Sequence, residues 1–317
     1  MTAIRRLGVV GAGAWGTALA LQARRAGRAV RLFARGGGRA VEGLPVVALA
    51  AATPADFGDA VLLVVPAGAV RAVGATLAAR LPAGVPVVCC AKGLDAKGPG
   101  LLLDGLADLL PGRPLMALSG PSFADEVRAD KPTALDLAAA PADRGLAAAL
   151  APALHTPHFR PYVSGDPVGV QLGGAAKNVV AIAAGVARGL ELGDNAEAAL
   201  VTRGLAEMAR LGAALGAEPR TLMGLAGLGD LVLTCKGPHS RNFRFGEALG
   251  RGRDPASAER AVGLVEGKRT AALLVTLARA RGVDLPIATA VDAVLEGRLG
   301  LADAIDGLLK RPLAAES

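Results

Sequence analysis

Gly11-Ala12-Gly13-Ala14-Trp15-Gly16 follows an apolar run from Ile4 to Val10 with nothing between them, and Thr17 to Ala26 continues as a helix-compatible run. Strand, G-x-G-x-x-G and helix in that order are what a dinucleotide site requires. The first glycine permits the tight turn, the second lets backbone approach a pyrophosphate, and the third lets helix and strand pack closely; the phosphates then meet the helix N-terminus. A chain with 43 glycines in 317 residues matches such a pattern easily by chance. The position directly after a strand, at residue 11, is therefore what carries the reading, and it commits the first half of the chain to alternating strands and helices.

The following segments fit that commitment. Ala29 to Ala34 reads as a second strand. Where an NAD site usually places an acid for the ribose 2′-hydroxyl, this strand ends in Arg35, three glycines and Arg39. An arginine there suits a 2′-phosphate, although a solvated loop arginine is equally compatible. Ala60 to Pro66 is continuously apolar, as a strand covered on both faces should be, and Val70 to Leu81 is its return helix. Val85 to Cys90 is a fourth strand that runs into Ala91-Lys92-Gly93-Leu94, which puts Lys92 at a carboxyl end, where open α/β sheets bind ligands. Leu101 to Leu110 is helical, and Leu115 to Leu118 is a strand running into Ser119-Gly120-Pro121-Ser122-Phe123-Ala124. A strand at Thr133 to Leu137, a helix through Leu150 and a strand at Phe159 to Val163 complete a doubly wound, Rossmann-type α/β sheet of alternating βα units, ending near residue 166.

After Asp166-Pro167 helical spacing takes over, in Val168–Leu190, Ala196–Leu215, Arg244–Leu249, Thr270–Arg281, Ala288–Leu295 and Leu301–Leu309. The expected organisation is a dinucleotide-binding domain over 1–166 and an all-helical substrate domain over 167–317, with the site in the cleft between them. The stretch from Gly224 to Asn242 looks too polar and glycine-rich for a core helix. Its length marks it as a functional loop.

Within the first of these helices lies Gly173-Gly174-Ala175-Ala176-Lys177-Asn178, flanked by Val170, Leu172, Val179, Val180 and Ile182. A lysine in such surroundings is either paired and used or snorkels from an ordinary core helix. Only seven of the 35 basic residues are lysines, so each lysine gains weight as a candidate for work that needs a compact, titratable ammonium. The segment has the length of a membrane span, but Gln171, Lys177 and Asn178 cross its middle, where charge is costly in lipid. A buried helix fits better than a span. The net charge of +7 comes as scattered single and paired residues with only 3% aromatics, which favours small anionic ligands over nucleic acid. Cys89, Cys90 and Cys235 form no metal-ligating spacing and are expected to be reduced structural thiols. The N-terminus runs straight into the strand and glycine loop without the h-region of a secretory signal, so a cytoplasmic protein is expected.

Taken together, GAGAWGTALA, AKGL, SGPSFADEV, GVQLGGAAKNVVAIAAG, TRGLAEMARLGAALGA, GLAGLGDLVLTC, SRN and VEG make the sequence resemble the bacterial NAD(P)-dependent glycerol-3-phosphate dehydrogenases. The resemblance runs from the glycine loop to the final helices and is most specific from Gly169 to Asn242. It implies a reversible reduction of dihydroxyacetone phosphate to sn-glycerol 3-phosphate, which feeds phospholipid synthesis, by a homodimer without a metal. It also implies residue roles. Lys177 is the proton donor and acceptor. Lys92 meets cofactor and substrate. Gly120 and Ser122 meet substrate, and Ala124 meets cofactor. Asp230 meets the substrate and the catalytic lysine and joins Lys177 and Lys92 in the catalytic set, and Asn178 meets the substrate. Ser240, Arg241 and Asn242 hold the substrate phosphate, with Arg241 also reaching the cofactor. Leu264 and Glu266 match late cofactor contacts, and Gly11, Gly13, Ala14, Trp15, Gly16 and Arg35 match early ones. The segment from Gly36 to Gly58 is shorter than the family pattern, which affects the adenosine side.

The physical reading of these residues agrees. Hydride transfer to a ketone leaves negative charge on oxygen, so a cation and an acid are needed there. Lys177 supplies both if desolvation lowers its pKa, yet a carboxylate at Asp230 would raise it, and the sequence leaves that contest open. Arg241 beside Asn242 offers directional donors to a phosphate, if it is not simply a solvated surface pair. Arg35 in place of an acid leads to the expectation that NADPH serves at least as well as NADH. Two rivals stand beside this reading: a hydroxy-acid dehydrogenase of similar two-domain build, against which the SRN element argues, and a non-catalytic dinucleotide sensor, which would have little use for Lys177 and Asp230 together.

Overall fold

The computed structural model describes residues 3–98 and 100–310. Ten strands run in chain order: β1 (Arg6–Val10), β2 (Ala29–Ala34), β3 (Val46–Ala48), β4 (Ala60–Leu63), β5 (Val87–Cys89), β6 (Leu94–Asp95), β7 (Gly100–Leu101), β8 (Leu115–Ser119), β9 (Thr133–Ala139) and β10 (Phe159–Ser164). Between them lie α1 (Ala14–Arg25), α2 (Val70–Ala78), α3 (Leu102–Leu109), α4 (Ala124–Arg128) and α5 (Arg144–Leu150). From there the chain is helical: α6 (Pro167–Gly189), α7 (Asp194–Leu215), α8 (Pro219–Leu222), α9 (Asp230–Cys235), α10 (Arg241–Gly250), α11 (Pro255–Val262), α12 (Glu266–Ala280), α13 (Pro286–Leu295) and α14 (Leu301–Leu309).

Eight strands form one sheet in the order β10-β9-β8-β5-β4-β1-β2-β3, and β6 pairs with β7 apart from it. Successive residues along a strand point to opposite faces. Thus Val88 and Cys90 join Leu7, Val9 and Met116 in one core, while Val87 and Cys89 join Val10, Phe33 and Leu106 in the other. Helices cover both faces, as the near-continuous apolar strands require. The chain order reverses between β1 and β4, so the switch-point crevice opens beside Gly11 and Val64.

The sheet departs from the expected run of βα units in one pair. β8 and β9 are antiparallel, with Ser119 opposite Asp136. The connection between them holds a single five-residue helix, α4, too short to span the sheet as the crossover helix that usually joins parallel strands. The edge strand β3 lies inside the short Gly36–Gly58 region and escaped the sequence reading, because three residues flanked by glycine, proline and alanine carry no period.

The helices pack around α6, whose residues from Gly169 to Ala187 are all buried. Asp166 caps it, accepting the Gly169 amide at 2.8 Å and the Glu218 amide at 2.8 Å. The helix is long and apolar enough to cross a membrane, but it is wholly enclosed by its neighbours. Phe243, Phe245, Leu231, Leu274 and Leu211 are among the side chains around it. Cys89, Cys90 and Cys235 are free and buried, and burial raises the thiol pKa of each, to about 11 for Cys89 and about 12 for Cys235.

Candidate active site

The glycine loop joins β1 to α1 as the motif predicts. Gly11 has φ +123°, and a Cβ there would collide with the Val64 carbonyl oxygen; a Cβ at Gly16 would collide with the Gly11 carbonyl oxygen. Gly13, the residue that caps α1, faces open space instead. The helix has no side-chain cap and no acid in its first turn, so its leading amides and its dipole remain available to an anion. Trp15 places its indole N–H in a buried position without a partner. Arg35 and Arg39 at the end of β2 are exposed and make no hydrogen bond or ion pair among the described residues. This set fits a phosphate-bearing dinucleotide, and its free arginines fit one with an extra phosphate.

Where the turn after β5 meets α6 and α9, three charged side chains come together. Lys177, only 5% exposed, donates from Nζ to Oδ1 of Asp230 and, at 2.9 Å, to Oγ1 of Thr234. Lys92, at the carboxyl end of β5, donates from Nζ to Oδ2 of Asp230 at 2.7 Å and to the Gly120 carbonyl at 2.9 Å. Asp230 is fully buried between the two ammonium groups. Burial pulls the Lys177 pKa down to about 7, against the opposing pull of Asp230, and Lys92 adds to the lowering. Desolvation therefore wins the contest that the sequence left open.

The element that carries Asp230 differs from the expected loop. Leu225–Gly229 is a single π turn that merges into α9, so Asp230 stands on a buried helical segment. Its glycines serve close packing: a Cβ at Gly227 would strike the Leu222 carbonyl, and a Cβ at Gly173 of α6 would strike that of Ala226. With the segment helical, Thr234 falls one turn beyond Asp230, and its hydroxyl donates to the Asp230 carbonyl at 2.6 Å. Thr234 is a site residue that the sequence reading missed.

Asn178 follows Lys177 on α6 and ties the site together. Its Nδ2 donates to the Lys92 and Gly174 carbonyls, each at 3.3 Å, and its Oδ1 accepts from Asn242 Nδ2 at 2.9 Å. Asn242 Oδ1 in turn accepts the Gly267 amide at 3.0 Å. Much of the Asn242 amide is thus engaged within the protein. Ser240 caps α10, accepting the Phe243 amide at 3.2 Å, and Arg241 stands exposed in the first turn. Glu266 begins α12, and its carboxylate accepts the Ala67 amide at 3.2 Å. Burial raises its pKa, opposed by that hydrogen bond and by Arg241, Lys92 and Lys177. Ser122 Oγ donates to the Gly120 carbonyl at 2.9 Å. Ala124 opens α4, and Leu264 is exposed ahead of α12.

Two family models match the chain: the NAD-dependent glycerol-3-phosphate dehydrogenase N-terminus over residues 47–144 and the C-terminus over residues 166–306. The glycine loop lies ahead of the first match, but the full-length matches to relatives span it. The chain is 51% identical over 334 residues to a glycerol-3-phosphate dehydrogenase (NAD(P)+) of Azorhizobium caulinodans, with 100% of both chains covered. It is 49% identical over 331 residues to one of Bradyrhizobium sp., again with 100% of both covered. A crystal structure of glycerol-3-phosphate dehydrogenase from Coxiella burnetii superposes with a TM-score of 0.89 at 37% identity, covering 97% of this chain and 99% of that one.

Proposed function

The chain belongs to the NAD-dependent glycerol-3-phosphate dehydrogenase family, and on that premise we propose how its residues divide the work. It is an oxidoreductase that interconverts dihydroxyacetone phosphate and sn-glycerol 3-phosphate with NAD or NADP, supplying glycerophospholipid synthesis. A dinucleotide-binding domain over 1–166 and a helical substrate domain over 167–317 are the proposed division, supported by the end of β10 at Ser164 and the start of α6 at Pro167. The bound nicotinamide supplies or accepts the hydride; the protein supplies position, charge and the proton.

The observation that carries the assignment is the convergence of Lys177, Lys92 and Asp230 at the cleft. Lys177 holds the transferred proton on Nζ, and its charge stabilises the oxygen that becomes negative in the reduction. Asp230 orients that ammonium together with Thr234. Lys92, one-sixth exposed, reaches both partners of the reaction. Arg241, Ser240 and Asn242 at the N-terminus of α10 receive the phosphate, Gly120 and Ser122 line the substrate side, and Asn178 holds the Lys92 turn. The leading amides of α1, Gly11 to Gly16, with Ala14, Trp15, Arg35, Ala124, Leu264 and Glu266, bind the cofactor. A spectrophotometric assay of dihydroxyacetone phosphate with NADPH and NADH side by side tests the whole assignment.

NADPH is expected to serve at least as well as NADH, because Arg35 has no partner among the described residues to give up before it meets a 2′-phosphate. Arg35→Asp should shift the ratio of kcat/KM toward NADH by about tenfold or more, equivalent to about 1.4 kcal/mol. An unchanged ratio would make Arg35 a solvated loop residue.

The lowered Lys177 pKa sets the pH dependence. A general acid must carry its proton, and the Lys177 ammonium is populated below about 7 and lost above it. Single-turnover reduction should therefore fall by about tenfold per pH unit on the alkaline side, while oxidation of glycerol 3-phosphate should rise through the same range. A reduction rate that stays level from about pH 6 to about pH 9 would remove proton donation from Lys177.

A homodimer is the proposed assembly. A cleft of about 890 Å³ in the helical part, lined by Leu200, Val291, Leu295, Leu301, Ile305 and Leu308, leaves an apolar surface that a second copy can cover. The cytoplasm is the proposed compartment, consistent with three buried free thiols.

A further inference from the structure

Asp136 lies outside the sequence motifs, yet it makes a hydrogen bond from the sheet to the segment that carries Asp230. Its Oδ2 accepts the Ala226 amide at 3.1 Å. Ala226 is the second residue of the π turn Leu225–Gly229, which continues without a break into α9 and Asp230. An amide in a first helical turn has no acceptor within its own helix, and Asp136 provides one. On the other side the Ala226 carbonyl rests against Gly173 of α6, where not even a methyl group would fit. The Ala226 backbone is thus gripped between β9 and the helix that bears Lys177.

The grip exists because β8 and β9 are antiparallel. That register sets Asp136 opposite Ser119, the last residue of β8, whose hydroxyl is buried without a partner next to the substrate-side turn at Gly120. Asp136 makes no ion pair among the described residues, and its burial favours the neutral acid, opposed by the hydrogen bond from Ala226. A carboxylate kept partly buried without a cation is costly unless hydrogen bonds offset its desolvation, and the Ala226 amide donates the bond that does so here.

We propose that Asp136 is a positioning residue for the reaction, holding Ala226 so that Asp230 stays between Lys177 and Lys92. It touches neither substrate nor cofactor and acts through the backbone of the π turn. The inference rests on the assignment of Lys177 and Asp230 given above.

Three variants of the full chain test it: Asp136→Ala, Asp136→Asn and, as a second truncation too short to reach Ala226, Asp136→Ser. Asparagine keeps an acceptor oxygen and loses the charge. Truncation should lower kcat by about tenfold to a hundredfold, the scale of a small misplacement of catalytic groups, with cofactor KM unchanged. Amide exchange across residues 225–230 should quicken by about tenfold or more as the protecting bond is lost, and Asp136→Asn should restore both. Truncations that keep kcat and exchange within about twofold of the parent, on that same scale, would overturn the proposal. So would an asparagine variant as impaired as alanine, or a loss of kcat that only follows the folded fraction read from melting curves. Lys177→Met in the same series keeps the two ideas separable: if it retains turnover the proton-donor assignment falls, whereas amide exchange reports on the Asp136 contact regardless.

Discussion

Lys177→Met is expected to abolish most turnover while leaving the fold and cofactor binding nearly intact. Methionine keeps the length and apolar stem, so the buried helix face around Val179, Val180 and Ile182 loses no packing. Asp230 is not left as an unpaired buried charge, because Lys92 still donates to its Oδ2 at 2.7 Å. On the role proposed for Lys177, what disappears is the proton at the reacting oxygen and the charge beside it. General acid catalysis alone contributes about 10² to 10⁴-fold, and the lost charge stabilisation adds to that. A purely structural lysine makes the opposite forecast: kcat would persist and stability could rise, since an ammonium no longer has to be desolvated. Measuring kcat, cofactor affinity and melting temperature on one preparation separates the two. Retention of kcat within about tenfold, below the range for a general acid, would sink the catalytic assignment.

Arg241→Ala should raise the KM for dihydroxyacetone phosphate steeply. The side chain is exposed at the first turn of α10, so its removal costs little packing, and a charge-assisted contact to a dianion is worth about 1.5 to 3 kcal/mol. That corresponds to a loss of roughly tenfold to more than a hundredfold in affinity. Unphosphorylated dihydroxyacetone should be a poor substrate for the parent and nearly indifferent to the change. Equal losses on both substrates would assign Arg241 to the cofactor or the fold. Asn242 contributes less to this contrast, because its amide already bonds Asn178 and Gly267.

The sequence was most legible where one local pattern governs the structure. The glycine loop after β1, the boundaries of β2 and the enclosed helix around Lys177 follow from spacing and from the few residues that fit a tight turn. It was least legible where glycine had two meanings. Gly224, Gly227 and Gly229 look like chain breakers, but the segment is helical, and Gly227 lets the Leu222 carbonyl approach where a Cβ would collide. Reading it as a loop erased the one-turn spacing that joins Asp230 to Thr234. The helix α11 carried usable signals, Asp254 as a cap accepting the Ser257 amide at 2.9 Å and Pro255 at its first position, that were passed over. Asp136 sits in a strand like any other half-buried polar residue. Its partner is 90 positions away, and spacing along a chain cannot point there.

The contact between α6 and α10 has a further meaning for the enzyme. Glycines on both helices, Gly185 and Gly189 on one and Gly246 and Gly250 on the other, let the two backbones touch without side chains between them. Lys177 is built on the first helix and Arg241 on the second. Two rods in direct main-chain contact cannot slide or spread by rotamer changes, so the separation of the backbone positions that carry Lys177 and Arg241 is fixed. On the roles proposed above, the pair is a calliper hinged at its backbones, gauging the length of whatever lies between its proton-bearing and phosphate-bearing arms.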